Sequence, residues 1–291
     1  MGTSRTAISR RSLLLAGGSA LALALTGTAR AATRDRFRIG LTPVFLDNRV
    51  EFLAAWRAYL ERGLDAEVTF VQRQTYREIT DLVLTAQLEA AWVCGFPYVR
   101  NQEQMRLLAV PLYHGEPLYQ AYLIVPSSDN ETTRIADLRG RIFVFSDPDS
   151  NSGFLDPQVR LIRAGEDPGR FFARTFFAWS HRDVVVAVAE GLADGGSVDG
   201  YVWETLRRGQ PELAARTRVV GRSERYGFPP FVTPPSLPQA DFALLQNMMT
   251  DMSDDPAGSE LLAELNLDGF VPGDSGLFDG IRRSVRTFDG S

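Results

Sequence analysis

The chain of 291 residues carries a formal net charge of −5, and all 31 of its basic residues are arginine. The absence of lysine excludes Schiff-base chemistry and a P-loop lysine, and one cysteine with two histidines is too few for a disulfide or a structural zinc site. An acidic chain without a basic tract is a poor binder of nucleic acid, so we expect no metal, no cofactor and no nucleic-acid partner.

Residues 1–31 have the composition of a secretory signal. They contain four arginines and no acidic residue, and Arg10 and Arg11 precede an apolar run over 13–25. Residues 29–31 read A-R-A, a small-residue cleavage site. The run is shorter than the roughly 20 residues that a membrane span needs, and the paired arginines favour twin-arginine export. We predict a cleaved twin-arginine signal peptide over 1–31 and a mature chain in the periplasm. Cleavage removes four arginines, so the mature chain has a net charge of −9.

Strand and helix patterns alternate along the next part of the chain. In chain order, the predicted elements are a strand over 37–41, a loop over 42–48, a helix over 49–62, a strand over 67–71, a helix over 75–88, a strand over 90–93 and a loop over 94–98. This alternation predicts a mostly parallel sheet, whose ligands bind beyond the C-terminal ends of the strands. The loops over 42–48 and 94–98 are therefore candidate ligand-binding loops.

The same alternation begins again at residue 121. The predicted elements are strands over 121–125, 141–145, 176–179 and 198–202, a helix from about 155 to 163, and a helix whose start is capped by Ser180 and Asp183. Residues 227–238 hold five prolines and predict an extended connector rather than a core element. We predict two α/β lobes: residues 34–120 with 227–291, and residues 121–226. They would close about crossings near 121–125 and 221–231.

Three small polar residues, Ser150, Asn151 and Ser152, lie between a predicted strand and a predicted helix. The start of a helix offers unpaired backbone N–H groups and a partial positive charge, and hydroxyl and amide side chains add hydrogen bonds. Such a turn can hold an oxyanion without lysine or arginine. A Ser- and Asn-rich turn before a helix is also typical of an ordinary N-cap, so the turn alone leaves both interpretations open.

Five short segments occur in a characteristic order along the chain. They are D-P-D-S-N-S-G at 147–153, A-D-L-R-G at 136–140, S-H-R-D at 180–183, V-D-G-Y-V at 198–202 and D-G-F-V-P at 268–272. Together they resemble the periplasmic phosphate/phosphite/phosphonate-binding proteins of ABC transporters, which typically carry D-P-N-S-T-S-G in the first segment. The resemblance covers nearly the whole mature chain. It implies an α/β fold of the type II periplasmic-binding-protein class, with a ligand clamped between two lobes.

The resemblance also implies which residues bind the ligand. Ser150, Asn151 and Ser152 would hold the oxyanion, and His181 would contribute from the next helix start. The remaining positions that it implies are Tyr98 at the cleft edge, Phe45 or Leu46 in the first loop, and Tyr201 in the V-D-G-Y-V segment. From the residues alone, a neutral imidazole at a helix start can donate to an anion, although a surface histidine beside a cap is the alternative. His114 lies in a turn, where an exposed loop residue is the favoured interpretation.

Two positions depart from the family pattern. Asn151 stands where the family has threonine, so an amide replaces one hydroxyl of the anion pocket. Relatives that bind aminoalkyl phosphonates hold the ammonium group with carboxylates near the return crossing, whereas residues 226–231 contain no acid. A small, compact oxyanion is therefore expected rather than one with a cationic tail.

Cys94 supports two interpretations. A lone cysteine in an apolar segment is usually a small buried hydrophobic residue. A thiolate in the cleft could instead bind trivalent arsenic, and relatives that sense arsenite beside a histidine kinase carry a similar Cys-Gly-x-Pro-Tyr segment. Cys94 is therefore a candidate ligand-binding residue.

Three functions follow, in order of preference. The first is a monomeric binding protein that delivers a small oxyanion of phosphate, phosphite or phosphonate type to an inner-membrane ABC permease. The alternative is a sensory binding protein for arsenite or a phosphate-like oxyanion that acts with a membrane histidine kinase. An enzyme with Cys94 as nucleophile and His181 or His114 as base ranks last, because the sequence offers no third orienting group. We therefore predict that the protein is not an enzyme.

Overall fold

The computed structural model describes Gly2, residues 34–43 and residues 49–291. The predicted signal peptide, Gly2 excepted, and both Phe45 and Leu46 lie outside these residues, so the predictions for them stay predictions. From Arg34 onwards the described residues belong to one compact unit. None of their helices is long and apolar enough to cross a membrane.

The strands of the described residues form two large sheets and one two-stranded sheet. Most of the strands are short, between two and seven residues. They are β1 Arg36–Leu41, β2 Glu67–Gln72, β3 Ala90–Trp92, β4 Arg106–Leu112, β5 Leu118–Tyr119, β6 Ala121–Pro126, β7 Ile142–Phe145, β8 Arg174–Phe177, β9 Gly195–Asp199, β10 Thr217–Arg222, β11 Tyr226–Gly227, β12 Phe231–Thr233 and β13 Gly269–Pro272.

Helices alternate with these strands along the described chain. They are α1 Val50–Leu64, α2 Tyr76–Leu84, α3 Gly95–Arg100, α4 Asp156–Arg163, α5 Pro168–Phe171, α6 His181–Ala189, α7 Gly200–Gly209, α8 Pro211–Ala214, α9 Gln239–Thr250, α10 Pro256–Leu265 and α11 Asp279–Asp289. A π-helical turn, Asn151–Leu155, leads directly into α4. The predicted alternation of strands and helices is confirmed.

The first sheet has the strand order β13-β4-β12-β3-β1-β2. β1 runs parallel to β2 and β3, which is the pattern of strand–helix–strand units. β12 is antiparallel to both of its neighbours, and β13 is antiparallel to β4. The prediction of a mostly parallel sheet is therefore wrong. The sheet is mixed because later parts of the chain return to it in the opposite direction.

β12 also corrects the prediction that residues 227–238 form a connector outside the core. Phe231 pairs with Trp92, Val232 pairs with Ala91, and all three residues of the strand are buried. The prolines at 229, 230, 234 and 235 flank the strand and do not interrupt it. Three residues are too few to show the periodicity of a strand, so the prolines are the only structural signal in this part of the sequence.

The second sheet has the order β10-β6-β9-β7-β8 and is mixed as well. β7 is parallel to β8 and β9, whereas β6 is antiparallel to β9 and β10. All of its strands lie between residues 121 and 222, and those of the first sheet lie before 113 or after 230. The predicted lobes are compatible with this division of the strands, and their boundaries stay a prediction.

A ribbon of two short strands joins the regions of the two sheets. β5 and β11 are antiparallel, with Tyr119 opposite Tyr226 and Leu118 opposite Gly227. A Cβ atom at Gly227 would lie 2.8 Å from the carbonyl oxygen of Leu277, so the close approach of the chain here requires glycine. The two crossings of the chain therefore lie side by side and are hydrogen-bonded to each other.

Two predicted elements near the candidate site have a different structure. Residues 94–98 do not form a loop: Cys94 is the N-cap of α3, and Pro97 lies in the first turn, where proline is tolerated. The predicted strand over 198–202 ends at Asp199, and α7 starts at Gly200. The side chain of Asp199 accepts a hydrogen bond from the backbone N–H of Tyr201 and so caps this helix.

Candidate functional site

A small cavity of about 20 Å³ lies at the C-terminal ends of strands β1, β3 and β9. Its apolar wall consists of Leu41, Trp92, Phe228 and Pro229. The other residues that line it are Thr42, Tyr76, Cys94, His181, Asp199 and Tyr201. The cavity is therefore enclosed by residues that follow strands of both sheets, at the place where sheets of this kind bind ligands.

The turn over 150–152 is packed directly behind this cavity and does not line it. Ser150, Asn151 and Ser152 are almost completely buried. The Ser150 hydroxyl accepts a hydrogen bond from the backbone N–H of Gly153 at 3.0 Å, and thereby caps the π-helical turn. The backbone N–H of Asn151 donates to Sγ of Cys94 at 3.3 Å, so the turn contacts the cavity wall.

Gly153 allows the turn to fit against the end of β7. A Cβ atom at this position would lie 1.8 Å from Oγ of Ser146 and 3.1 Å from Cε1 of His181. Any other residue would therefore displace the turn or the imidazole ring. The D-P-D-S-N-S-G segment ends in glycine because the polar turn must lie flat against these two side chains.

The hydrogen bonds of His181 fix which ring nitrogen carries the proton. Nδ1 lies 3.1 Å from the backbone N–H of Asp199 and accepts from it, so the proton of the neutral ring is on Nε2. Nε2 lies 3.4 Å from the hydroxyl of Ser150. Burial lowers the pKa of His181 to about 3, so the ring is neutral at physiological pH.

This arrangement leaves the Ser150 hydroxyl as a donor. Its oxygen accepts from the N–H of Gly153 and faces the N–H of His181, so its single proton is free to be given to another acceptor. An acceptor with a negative charge would form the shorter and stronger type of hydrogen bond. The pair of Ser150 and His181 is thus suited to bind an anion through neutral groups.

Asn151 and Ser146 each have a buried polar atom without a hydrogen-bond partner among the described residues. The Asn151 amide nitrogen donates to the Tyr119 hydroxyl at 2.9 Å, but its Oδ1 atom is buried and has no hydrogen-bond partner among the described residues. Oγ of Ser146 is likewise buried without a partner in the described part of the chain. Buried polar atoms are normally hydrogen-bonded, so exceptions grouped around one turn indicate a functional site.

Ser152 contributes its backbone to the turn. Its carbonyl oxygen accepts from the hydroxyl of Ser197 at 2.6 Å, which ties the turn to β9. Its own hydroxyl has no partner of hydrogen-bonding geometry among the described residues, yet it lies near enough to Tyr119 to lower the pKa of that phenol. Burial outweighs this effect and raises the pKa of Tyr119 well above its usual value, so Tyr119 is a neutral donor or acceptor.

Asp199 is a site residue that the sequence analysis did not single out. It lines the cavity, it is 3% exposed, and burial raises its pKa to about 7 although two backbone N–H groups act in the opposite direction. A carboxyl group with this pKa can donate a hydrogen bond when protonated and accept one when ionised. The available sequence signal was an acidic residue at the end of a predicted strand, directly before Gly200.

Cys94 lines the cavity as a thiol. Burial raises its pKa to about 12, and the negative charges of Asp199 and Asp147 act in the same direction. Its sulfur atom accepts from Asn151, whereas the ring nitrogens of His181 bond to Asp199 and Ser150. The hydrogen bonds of Cys94 and His181 therefore do not form the thiol–imidazole pair that a cysteine nucleophile needs.

The remaining predicted residues have different surroundings. Tyr201 lines the cavity, and its hydroxyl donates to the backbone carbonyl of Leu265 in a short contact between α7 and α10. Tyr98 does not lie at the cleft edge: its ring is 3% exposed and packs edge-on against Phe278 at 4.8 Å, because α3 directs it towards the segment before α11. His114 is exposed, as expected for a loop residue. The described residues contain no cluster of potential metal ligands.

A sequence model of one protein family matches residues 39–276, and that family is described as "ABC transporter, phosphonate, periplasmic substrate-binding protein". The chain belongs to this family. Since the match spans both sheets, family membership applies to the whole fold and not to a single motif. The resemblance drawn from the five short segments is confirmed.

Individual relatives agree with this assignment. The phosphate-import protein PhnD of Mycolicibacterium smegmatis is 28% identical over 159 residues, which are 50% of this chain and 50% of that protein. A binding-protein component of an ABC phosphonate transporter from Pseudomonas aeruginosa superposes with a TM-score of 0.80 at 20% identity, over 87% of this chain and 88% of that one. PhnD1 from Prochlorococcus marinus in complex with methylphosphonate superposes with a TM-score of 0.78 at 19% identity, over 88% of this chain and 98% of that one. The two solved structures confirm the type II periplasmic-binding-protein fold.

Proposed function

We propose that this protein is the substrate-binding protein of an ABC importer, and that it binds a small tetrahedral oxyanion of phosphate, phosphite or phosphonate type. It would be exported to the periplasm by the predicted signal peptide, act as a monomer and deliver its ligand to an inner-membrane permease. The chain spans about half the length of the curated relatives that it matches, and one of them is named as a phosphate-import protein. The family description supports the same kind of transport.

The observation that carries the proposal is the buried pair of Ser150 and His181, of which His181 lines the cavity and Ser150 lies directly behind it. Both groups are neutral, and each accepts a hydrogen bond from a backbone N–H, Ser150 from Gly153 and His181 from Asp199. Because the Nε2–H group of His181 faces the Ser150 oxygen, the hydroxyl proton of Ser150 is the one that can point at a ligand. Asn151 and Ser146 contribute buried polar atoms that lack partners among the described residues. A small anion can be bound by such preorganised neutral donors without a counter-charge.

Asp199 suits an oxyanion that carries a proton of its own. When the carboxyl group is protonated it can donate to a ligand oxygen, and when it is ionised it can accept from a P–OH group. With its pKa near 7, both forms are accessible at neutral pH. This acid is more compatible with the partly protonated oxyanions of phosphorus than with an anion that has no proton.

The apolar wall limits what else the ligand can carry. Trp92 is held by a hydrogen bond from its indole N–H to the carbonyl oxygen of Pro229 at 2.8 Å and stacks on Phe231 at 5.2 Å. Together with Phe228, it forms a rigid surface suited to a hydrogen or a methyl group. A solved relative of the same fold contains methylphosphonate. We propose that phosphite and methylphosphonate fit this wall, and that a long cationic tail does not.

Calorimetry on the purified protein tests the proposal. The ligands to titrate are phosphate, phosphite, methylphosphonate, 2-aminoethylphosphonate, sulfate and arsenite. We expect the first three to bind, and we expect Ser150→Ala with Ser152→Ala to weaken that binding by at least about tenfold, since each substitution removes a potential donor to a charged ligand. A matched control replaces the two adjacent serines of a surface turn, Ser127→Ala with Ser128→Ala. Unchanged affinity in the first double variant would refute the site.

The sensory alternative lacks a comparable observation. Arsenite binding by Cys94 requires access to the thiolate, and the pKa of about 12 keeps the sulfur protonated at neutral pH. The family is described as one of ABC transporters, and the relative from Mycolicibacterium smegmatis is named as a phosphate-import protein. We therefore do not extend the proposal to arsenite.

A further inference from the structure

A second and larger groove lies close to the ligand cavity. It has a volume of about 530 Å³, and its lining includes the side chains of three arginines, Arg49, Arg182 and Arg208, and one acid, Glu264. The four residues come from the starts of α1 and α6 and the ends of α7 and α10. The groove therefore lies between elements that belong to the regions of both sheets.

The arginines of this groove are only partly neutralised. Arg49 forms an ion pair with Glu264 at 2.7 Å. Arg182 is 3.5 Å from the half-exposed Asp183. Arg208 hydrogen-bonds to the neutral amide of Asn266, and no ion pair of Arg208 is present in the described part of the chain. Three positive side chains and one negative one thus line a groove in a chain whose net charge is −5.

Residues that are close along the chain line the groove and the cavity. His181 lines the cavity, and the next residue, Arg182, lines the groove. Tyr201 lines the cavity, and Thr205, one helical turn later, lines the groove. The hydroxyl of Tyr201 donates to the carbonyl oxygen of Leu265, whose neighbour Asn266 is again a groove residue. The Tyr201–Leu265 contact therefore links a residue of the cavity to the segment that lines the groove.

We propose that Arg49, Arg182 and Arg208 form an outer anion site at the mouth of the ligand cavity, which captures the oxyanion before the protein closes. This proposal rests on the proposed function, because it concerns how the same oxyanion reaches its site. Among the described residues, no arginine lines the cavity itself. The proposal therefore assigns the attraction of the ligand and its binding to different residues. An acidic protein repels an anion at long range, and a local positive surface reverses the sign of the potential where the ligand must enter.

The outer site should affect the rate of association and not the rate of dissociation. Charges that remain outside a binding pocket raise the encounter rate, and their effect disappears at high ionic strength. The donors that hold the bound ligand are neutral and buried, so they are insensitive to salt. Salt and arginine substitutions should therefore act on the same rate constant.

Stopped-flow measurement of tryptophan fluorescence separates the two rates, since Trp92 lies in the cavity wall. Phosphite, phosphate and methylphosphonate are the ligands, and the variant is Arg49→Gln with Arg182→Gln and Arg208→Gln. We expect the association rate constant to fall by about three- to tenfold at low ionic strength, with dissociation changed by less than about twofold. At about 1 M salt, where the Debye length is roughly 3 Å, variant and wild type should associate equally fast.

Two further variants keep the test decisive. Arg208→Glu alone leaves the Arg49–Glu264 pair intact and should slow association more than Arg208→Gln does. Arg134→Gln with Arg170→Gln and Arg286→Gln removes the same charge from exposed arginines outside the groove and should leave the rate within about twofold. The proposal is overturned if the groove variants bind with unaltered association rates, or if only their dissociation rates change. Failure of the wild-type protein to bind any of the three oxyanions would instead overturn the proposed function, and the outer site with it.

Discussion

A side-chain oxygen of Asp147 lies 3.1 Å from the backbone N–H of Tyr76 and accepts a hydrogen bond from it. Asp147 begins the polar turn that follows β7 of the second sheet, and Tyr76 is the first residue of α2, which follows β2 of the first sheet. A carboxylate at the start of a helix interacts favourably with the helix dipole. The same turn is tied to α2 by an ion pair between Asp149 and Arg77 at 2.8 Å. The turn that carries the proposed ligand-binding residues therefore also bridges the regions of the two sheets, and this contact would stabilise a closed conformation of the proposed lobes.

We expect Asp147→Ala to weaken oxyanion binding by about three- to tenfold without removing any ligand contact. The substitution removes the acceptor for the N–H groups of Tyr76 and Asp149 and the negative charge at the start of α2. A closed conformation should therefore lose about 1 kcal/mol. A ligand that binds only when the protein is closed loses apparent affinity in proportion. Calorimetry gives the affinity, and small-angle X-ray scattering without ligand should show a larger radius of gyration than for the wild type.

Two related variants determine which part of Asp147 matters. Asp147→Asn keeps an acceptor for the Tyr76 N–H and loses only the charge, so it should lie between wild type and Asp147→Ala. Arg77→Gln removes an ion pair whose arginine is 70% exposed, and such pairs contribute about 1 kcal/mol or less. If all three variants bind and scatter like the wild type, the contact between the turn and α2 does not stabilise closure.

The parts of the site that follow local patterns could be predicted from the sequence. The turn over 150–152 and the cap of α6 by Ser180, whose hydroxyl accepts from the N–H of Asp183 at 3.0 Å, lie where the residue types indicate. Their structure is set by interactions between residues a few positions apart, which leave a signal in the order of the residues.

The parts that depend on distant segments could not be predicted. β12 is a strand because it pairs with β3 on one side and with β4 on the other, and its three residues carry no strand pattern of their own. The pKa of Asp199 is raised because several elements bury it together. The resemblance to a family position predicts Tyr98 at the cleft edge, whereas its ring packs against Phe278, which is far along the chain. In all three cases the deciding neighbour is remote in the sequence.

Asp199→Asn should stabilise the protein at alkaline pH. Because burial raises the pKa of Asp199 from 3.8 to about 7, the folded protein keeps this proton over a range in which the unfolded chain has lost it. Its contribution to the free energy of unfolding is therefore fully present below about pH 4 and falls as the pH rises towards 7. The asparagine variant mimics the protonated acid, so its melting temperature should exceed that of the wild type by about 4 °C or more near pH 8, and much less near pH 4.5.

The exposed Asp254 provides the control for this measurement. Asp254→Asn removes the same charge from the surface, and the change in its melting temperature between pH 4.5 and pH 8 should equal that of the wild type. An Asp199→Asn variant with the wild-type pH dependence would show that the carboxyl group is not held in its protonated form.

His181 should remain neutral, with its proton on Nε2, from about pH 5 to pH 8. Burial lowers its pKa to about 3, and the N–H of Asp199 occupies Nδ1. The unfolded chain binds a proton below about pH 6.5 and the folded chain does not, so His181 makes stability fall as the pH decreases through this range. Long-range ¹⁵N–¹H correlation spectra show the tautomer directly, and His114→Gln assigns the signals because the chain has two histidines. A protonated Nδ1, or titration near pH 6.5, would contradict the proposed donor geometry.

Cys94→Ser should leave the binding of phosphate and phosphite within about threefold of the wild type. The serine hydroxyl can still accept from the N–H of Asn151, which is the hydrogen bond that Cys94 makes to the turn. The native thiol should also react slowly with disulfide reagents near neutral pH, because its pKa of about 12 leaves little thiolate and its side chain is 5% exposed. Calorimetry of the variant and thiol titration of the native protein check the two statements, and the thiol titration is repeated in denaturant as a reference. Loss of oxyanion binding in Cys94→Ser, or rapid labelling of the native protein, would show that the sulfur takes part in the chemistry of the cavity and is not merely part of its wall.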